Sequence, residues 1–119
     1  MDNVQDNADS PPANPAMTLF EAVVRQRCVS VTYNRKRMIL APHIVYTRNA
    51  GMYIDAITVS LEGMLPREVK LGTFKVDGLS EIKLIERPFE INPIFEPEAM
   101  KYENATLMKV EPNGEAAAA

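Results

Sequence analysis

The chain has 119 residues, 46% of them hydrophobic, with four Tyr, four Phe and no Trp, which sets the scale at one domain with an aliphatic core. Its formal charge is -3; a single cysteine excludes an internal disulfide, and one Cys with one His cannot furnish a four-ligand zinc site. No apolar run reaches the roughly 18 residues of a membrane helix, and the acidic start "MDNVQDNADSPPANPA" is the opposite of a signal peptide, so a cytoplasmic protein without membrane contact is expected.

Residues 1–17 hold three Asp, three Pro and no base, and read as a disordered acidic tail. "TLFEAVVRQR" predicts a short helix with Thr18 as N-cap and Glu21 at the capping-box position. "CVSVTYN" alternates strictly, placing Val29, Val31 and Tyr33 on one face of a strand and Cys28, Ser30 and Thr32 on the other. "NRKR", Asn34 to Arg37, is the expected turn. "MILAPHIVYT" resumes as a strand, in which Pro42 marks an edge, a bulge or a bend. "RNAG" turns again, with Asn49 and Gly51 suited to positive φ. "MYIDAITVS" is a third strand: Met52, Ile54 and Ala56 form its core face, and Tyr53 and Asp55 its other face. "REVKLGTF" is a fourth strand and "SEIKLIE" a fifth, before Pro88, Pro93 and Pro97 end regular sheet.

One short N-terminal helix followed by about five short strands predicts a mostly β fold, a small SH3/Sm-like antiparallel barrel. The expected organisation is a tail over 1–17, the barrel over 18–96, and an extension over 97–119. That extension is largely irregular or disordered, apart from a short helix at "PEAMKYE".

For chemistry, the phosphate-loop and Gly-x-Gly-x-x-Gly patterns are absent, and His43 has no nucleophile in a Gly-x-Ser-x-Gly setting. Cys28 reads as a small buried hydrophobe. The expectation is a protein that is not an enzyme and carries no cofactor or metal. A different group is more coherent. From Ala22 to Ile54 there are six bases (Arg25, Arg27, Arg35, Lys36, Arg37, Arg48) and no acid. This is either a solvated sheet edge or an anion-attracting surface. Tyr33, Arg35, Arg37, His43, Tyr53, Arg67 and Lys70 would form a ligand surface if the strands bring them together. Cations neutralise phosphates and tyrosine rings stack on unpaired bases, so single-stranded nucleic acid or a nucleotide-type ligand fits such a surface better than duplex does.

The order of these parts resembles the WYL domain, a small barrel related to the Sm and SH3 folds. The similarity covers about residues 18–90. It rests on the helix "LFEAVVRQR", a strand ending in Tyr33, a basic turn, a strand with central Pro42, and Gly51 before the triplet Met52-Tyr53-Ile54. That triplet stands where the family has Trp-Tyr-Leu. Val69 to Phe74 stands where the family has Phe-Arg-Leu-Asp-Arg-Ile, with Lys70 for the first arginine and Gly72 and Thr73 for Asp and Arg. The resemblance implies a ligand-sensing module of the kind found in bacterial transcription regulators and defence-associated proteins. It carries the binding role to Tyr33, Arg37, His43, Tyr53 and Lys70, with Arg35 and Arg67 as secondary positions. The residues ahead of the helix are too few for a helix-turn-helix, so regulation would need a separate DNA-binding protein or the barrel itself. The alternative reading is a protein-interaction or oligomerisation module whose ligand pocket has decayed, motivated by Gly72 and Thr73; the oligomeric state stays open.

Overall fold

The structure, a computed structural model, describes residues 14–112. Most of the expected acidic tail and the terminal "NGEAAAA" lie outside the described residues. Helix α1 spans Pro15–Arg25. It begins before Thr18 because Asn14 is the cap: its Oδ1 accepts from the Ala16 N–H at 2.9 Å, and Pro15, with φ already helical, takes the first position. Thr18 instead donates from Oγ1 to the Asn14 carbonyl, and Glu21 pairs with Arg25 at 2.8 Å. At the other end Gln26, in the left-handed region at φ 52°, closes the helix onto the Ala22 and Val23 carbonyls. The chain therefore reverses straight into a strand, and Leu19, Ala22 and Val23 are buried.

Six strands follow: β1 Arg27–Tyr33, β2 Lys36–Arg48, β3 Gly51–Leu61, β4 Leu71–Lys75, β5 Leu79–Pro88 and β6 Thr106–Lys109. All pairings are antiparallel, in the order β4-β3-β2-β1-β5, with β6 also on β2. Two-residue loops join β1 to β2 (Asn34 and Arg35, φ 50° and 66°) and β2 to β3 (Asn49 and Ala50, φ 49° and 65°). Both central residues at positive φ match the right-handed twist of the flanking strands. Two expectations change here. Lys36 and Arg37 already belong to β2, and Ala50 rather than Gly51 takes positive φ, since Gly51 pairs with Arg48 as the first residue of β3.

The sheet is forced to curl. Laid flat, edge strands β4 and β5 would stand roughly 19 Å apart, four strand spacings. Yet one 3-10 turn, Val76–Gly78, joins them, and such a turn spans only about 8 Å from Lys75 to Leu79. The curl is visible in the side chains: Tyr33 of β1 meets Phe74 of β4 edge-on, ring centroids 5.1 Å apart, although those strands are not sheet neighbours. Val29, Val31, Leu40, Val45, Ile54, Ala56 and Phe74 join the helix residues in the core. A second apolar cluster of Cys28, Ala41 and Ile57 gathers Ile39, Val59, Leu71, Ile85 and Phe89.

Pro42 marks a bulge. The β2–β3 register shifts between Pro42 and Ile44, leaving His43 as the extra residue. On its other edge, β2 pairs with β1 before the bulge (up to Leu40) and with β6 after it (from Ile44). Four residues of the region expected to be largely irregular beyond residue 96, Thr106–Lys109, thus join the sheet. That region supplies β6, a 3-10 turn at Met100–Tyr102 and the buried side chains of Tyr102 and Val110. Its pairing was not legible because four residues, "TLMK", carry too short a pattern to separate strand from loop. The fourth strand is shorter than expected: Arg67–Lys70 lie in the exposed β3–β4 connection.

Ala50 at φ 65° carries the steric cost of a Cβ in the left-handed region. Ala50→Gly is expected to stabilise the fold by about 1 kcal/mol, part of the relief being offset by glycine's greater freedom when unfolded. A higher urea midpoint at unchanged slope is the checking measurement.

Candidate nucleic-acid interface

Strand geometry assembles one face beyond the bulge. Tyr46 and Arg48 are two apart on β2, Tyr53 and Asp55 two apart on β3, and Thr73 and Lys75 two apart on β4. The register sets Tyr46 opposite Tyr53, Asp55 opposite Thr73 and Tyr53 opposite Lys75. These six side chains share one side of the sheet, on which Tyr46 and Asp55 are buried, Tyr53 is half-buried, and Arg48, Thr73 and Lys75 are exposed.

Asp55 is the anchor beneath it. Sequence alternation placed this residue on the open face with Tyr53, but it is only 1% exposed, because the 3-10 turn Met100–Tyr102 lies over it. Its carboxylate accepts from Tyr46 Oη at 2.7 Å, Thr73 Oγ1 at 2.8 Å and Lys101 Nζ at 2.9 Å, and from Tyr102 Oη. Burial by itself would raise the Asp55 pKa; the hydrogen bonds from Tyr102, Tyr46, Lys101 and Thr73 outweigh it and hold the carboxyl below its ordinary value. Burial would likewise lower the Lys101 pKa, but its bond to Asp55 raises it overall. Both phenols are pushed up, by burial first and then by the Asp55 carboxylate they donate to. Around neutral pH the cluster is fixed: one anion, one ammonium and two neutral phenols, none poised to exchange a proton. It acts as a lock joining the C-terminal segment to the sheet.

The upper layer is cationic and aromatic. The half-buried Tyr53 ring stacks on Tyr46 with centroids 6.1 Å apart, and the Arg48 guanidinium carbon lies 5.6 Å from the Tyr53 centroid. A Cβ on Gly51 would lie 3.4 Å from both Lys75 Cε and Tyr53 Cε1, so lysine and ring lie side by side over the hairpin. Lys101 Nζ lies 5.5 Å from the Tyr46 centroid and 5.4 Å from that of Tyr102. Arg48 and Lys75 thus border the Tyr53 ring, while Lys101, beside the buried Tyr46, is the counter-ion of the buried Asp55.

Of the seven positions expected from sequence, this face contains only Tyr53. Tyr33 is turned to the barrel, its ring against Phe74 and above Gly78. Arg35 sits at the tip of the first hairpin. Arg37 is occupied: it bonds Ser30 Oγ and Thr32 Oγ1 and pairs with Glu81 at 3.3 Å, while its backbone N–H reaches Glu62 at 2.7 Å. Its neighbour in register, Met38, faces Leu61, eight positions along β3 from Tyr53, or roughly 26 Å of strand. Arg67 and Lys70 lie in the exposed connection, where Lys70 pairs with Glu68 at 3.8 Å.

His43 has to be withdrawn as a surface ligand, because it is 0% exposed between Phe89 and Phe95. The Asn92 N–H donates to its Nε2 at 3.0 Å, so Nδ1 carries the proton and donates to the Ala41 carbonyl at 2.8 Å. Burial lowers its pKa. The bulge residue therefore pins the segment after β5 to β2. Arg48, Lys75 and Lys101 were the missed members. Arg48 stood in the acid-free run, two residues from Tyr46, but nothing local reveals a cross-strand partner or a lysine from 46 residues downstream of Asp55.

No family model, curated protein or solved structure matches this chain.

Two outcomes follow from the lock and the pin. In Asp55→Ala the fold should lose about 3 kcal/mol or more in urea unfolding, since a buried anion is removed from four donors. Below the ordinary histidine value of 6.5 the unfolded chain binds a proton that folded His43 refuses. Stability then falls with pH, and falls further below the ordinary carboxyl value of 3.8 as the unfolded Asp55 protonates first. Because His43 is the one histidine, His43→Gln should flatten the stability profile between about pH 7 and 5.

Proposed function

We propose that this protein binds single-stranded nucleic acid across the face formed by Tyr53, Arg48, Lys75 and Lys101. The carrying observation is the half-buried Tyr53 ring, stacked on the fully buried Tyr46 and bordered by cations, with the local carboxylate buried. An aromatic platform offers stacking that any base accepts, and the cations track phosphates. Arg48, Lys75 and Lys101 are exposed, and the clefts between α1 and β6, beside Arg37 and along the C-terminal segment include none of Arg48, Tyr53, Lys75 and Lys101. A mononucleotide gains affinity by being enclosed, whereas a strand gains it from successive contacts on an open surface, so the polymer is favoured over the single nucleotide. The resemblance to the WYL domain supports the same reading, since Tyr53 is the residue of the triplet that matches the family. A regulatory role belongs to this proposal.

Fluorescence anisotropy with labelled single-stranded DNA and RNA oligonucleotides tests it. Tyr53→Ala should weaken binding roughly 10-fold to 100-fold, the loss of one stacked base, with Tyr53→Phe near wild type. Arg48→Ala should reduce the slope of log affinity against log salt by about 0.7. Arg37→Ala should bind as wild type does. No binding by wild type at low salt, or equal binding by Tyr53→Ala, removes the reading.

A further inference from the structure

We infer that the chain pairs with a second copy of itself through the outer face of α1 and the free edge of β6. An 11-residue helix packed on a sheet needs one apolar stripe, and Leu19, Ala22 and Val23 provide it. Helix α1 carries a second. Met17 and Val24, two turns apart, lie on its other side, 61% and 63% exposed, with Phe20 between them packed partly against the core. Val24 continues into a groove of about 590 Å³ between the end of α1 and β6, whose far wall is Leu107, Met108 and Lys109. Leu107 is itself 43% exposed. An apolar strip therefore runs from the first turn of the helix across to the last strand.

Three features select a second copy as the occupant. Among the described residues β6 pairs only with β2, so one of its edges leaves backbone N–H and C=O groups without strand partners. An antiparallel edge is its own complement about a twofold axis. The strip is also reciprocal. With two α1 helices antiparallel, the unbranched Met17 of each copy reaches the Val24–Leu107 groove of the other, a knob and a hole on the same surface. Finally, the charges beside the strip are balanced in sign: Glu21 and Arg25 pair at 2.8 Å within the helix, and Lys109 and Glu111 of opposite charge line the groove, so an antiparallel pair can set acid against base. The strip does not involve Arg48, Tyr53, Lys75 or Lys101, and a pair would carry two copies of that face.

Light scattering on the eluting full-length chain, over a range of micromolar concentrations, reads the outcome. Wild type should run at twice the 13.3 kDa chain mass. Val24→Asp and Leu107→Asp, both at exposed positions, should run at the chain mass with unchanged circular dichroism. Leu65→Asp, 82% exposed in the β3–β4 connection, should stay paired. A wild type that is monomeric throughout overturns the inference. So does a dimer that survives Val24→Asp and Leu107→Asp, or one that Leu65→Asp dissolves. A higher-mass species holding a different polypeptide also overturns it, because the strip then serves another partner.

Discussion

The Asp55 carboxylate organises the half of the molecule beyond the bulge. A buried anion is tolerated only when donors surround it, and here they come from every neighbouring element: Tyr46 from β2, Thr73 from β4, Lys101 and Tyr102 from the 3-10 turn. Each bond fixes a position the exposed face needs. Tyr46 is held beside Tyr53, their rings inclined by 29°, Lys101 is brought over the Tyr46 and Tyr102 rings, and the C-terminal segment is tied across the sheet. The cluster thus supplies rigidity below the surface, and within it the Lys101 ammonium offsets the carboxylate's own charge.

The bulge at His43 makes that arrangement reachable. Pro42 has no N–H to donate, so the ladder is interrupted there without leaving an orphaned donor. Beyond it the β1-side edge of β2 is open to β6, and the His43 carbonyl accepts from the Val110 N–H at 2.9 Å. The imidazole meanwhile holds Asn92. A residue that looked like a ligand contact is a rivet, and its two ring nitrogens bind two separate stretches of backbone.

The cationic surface also differs in kind from the basic run in the sequence. Of the six bases between Ala22 and Ile54, Arg25 and Arg37 are paired with glutamates and Arg27 bonds the carbonyls of Arg25 and Gln26. Arg48 alone of them stands over the tyrosine platform. A run of like charge in sequence is dispersed by a barrel, because successive residues of a strand point to opposite faces and successive strands to different sides. Charges converge only where register sets them opposite one another, as Tyr53 and Lys75 are.

What the sequence determined by itself was local. The alternation of Val29, Val31 and Tyr33, the turn residues Asn34 and Asn49, and the break at Pro42 are short-range signals, and they were enough for a short helix followed by a small antiparallel β fold. Even the choice of Tyr53 as the outward residue of its triplet rested on period-two alternation. Tertiary structure decided what alternation cannot express: that Asp55, on the same face as Tyr53, is covered by residues 100–102; that His43 is internal; and that Arg48, Lys75 and Lys101 belong together. The reason is physical. Which face a side chain takes follows from its own strand, but whether that face meets solvent depends on what folds over it, and that is set by contacts between residues far apart in the chain.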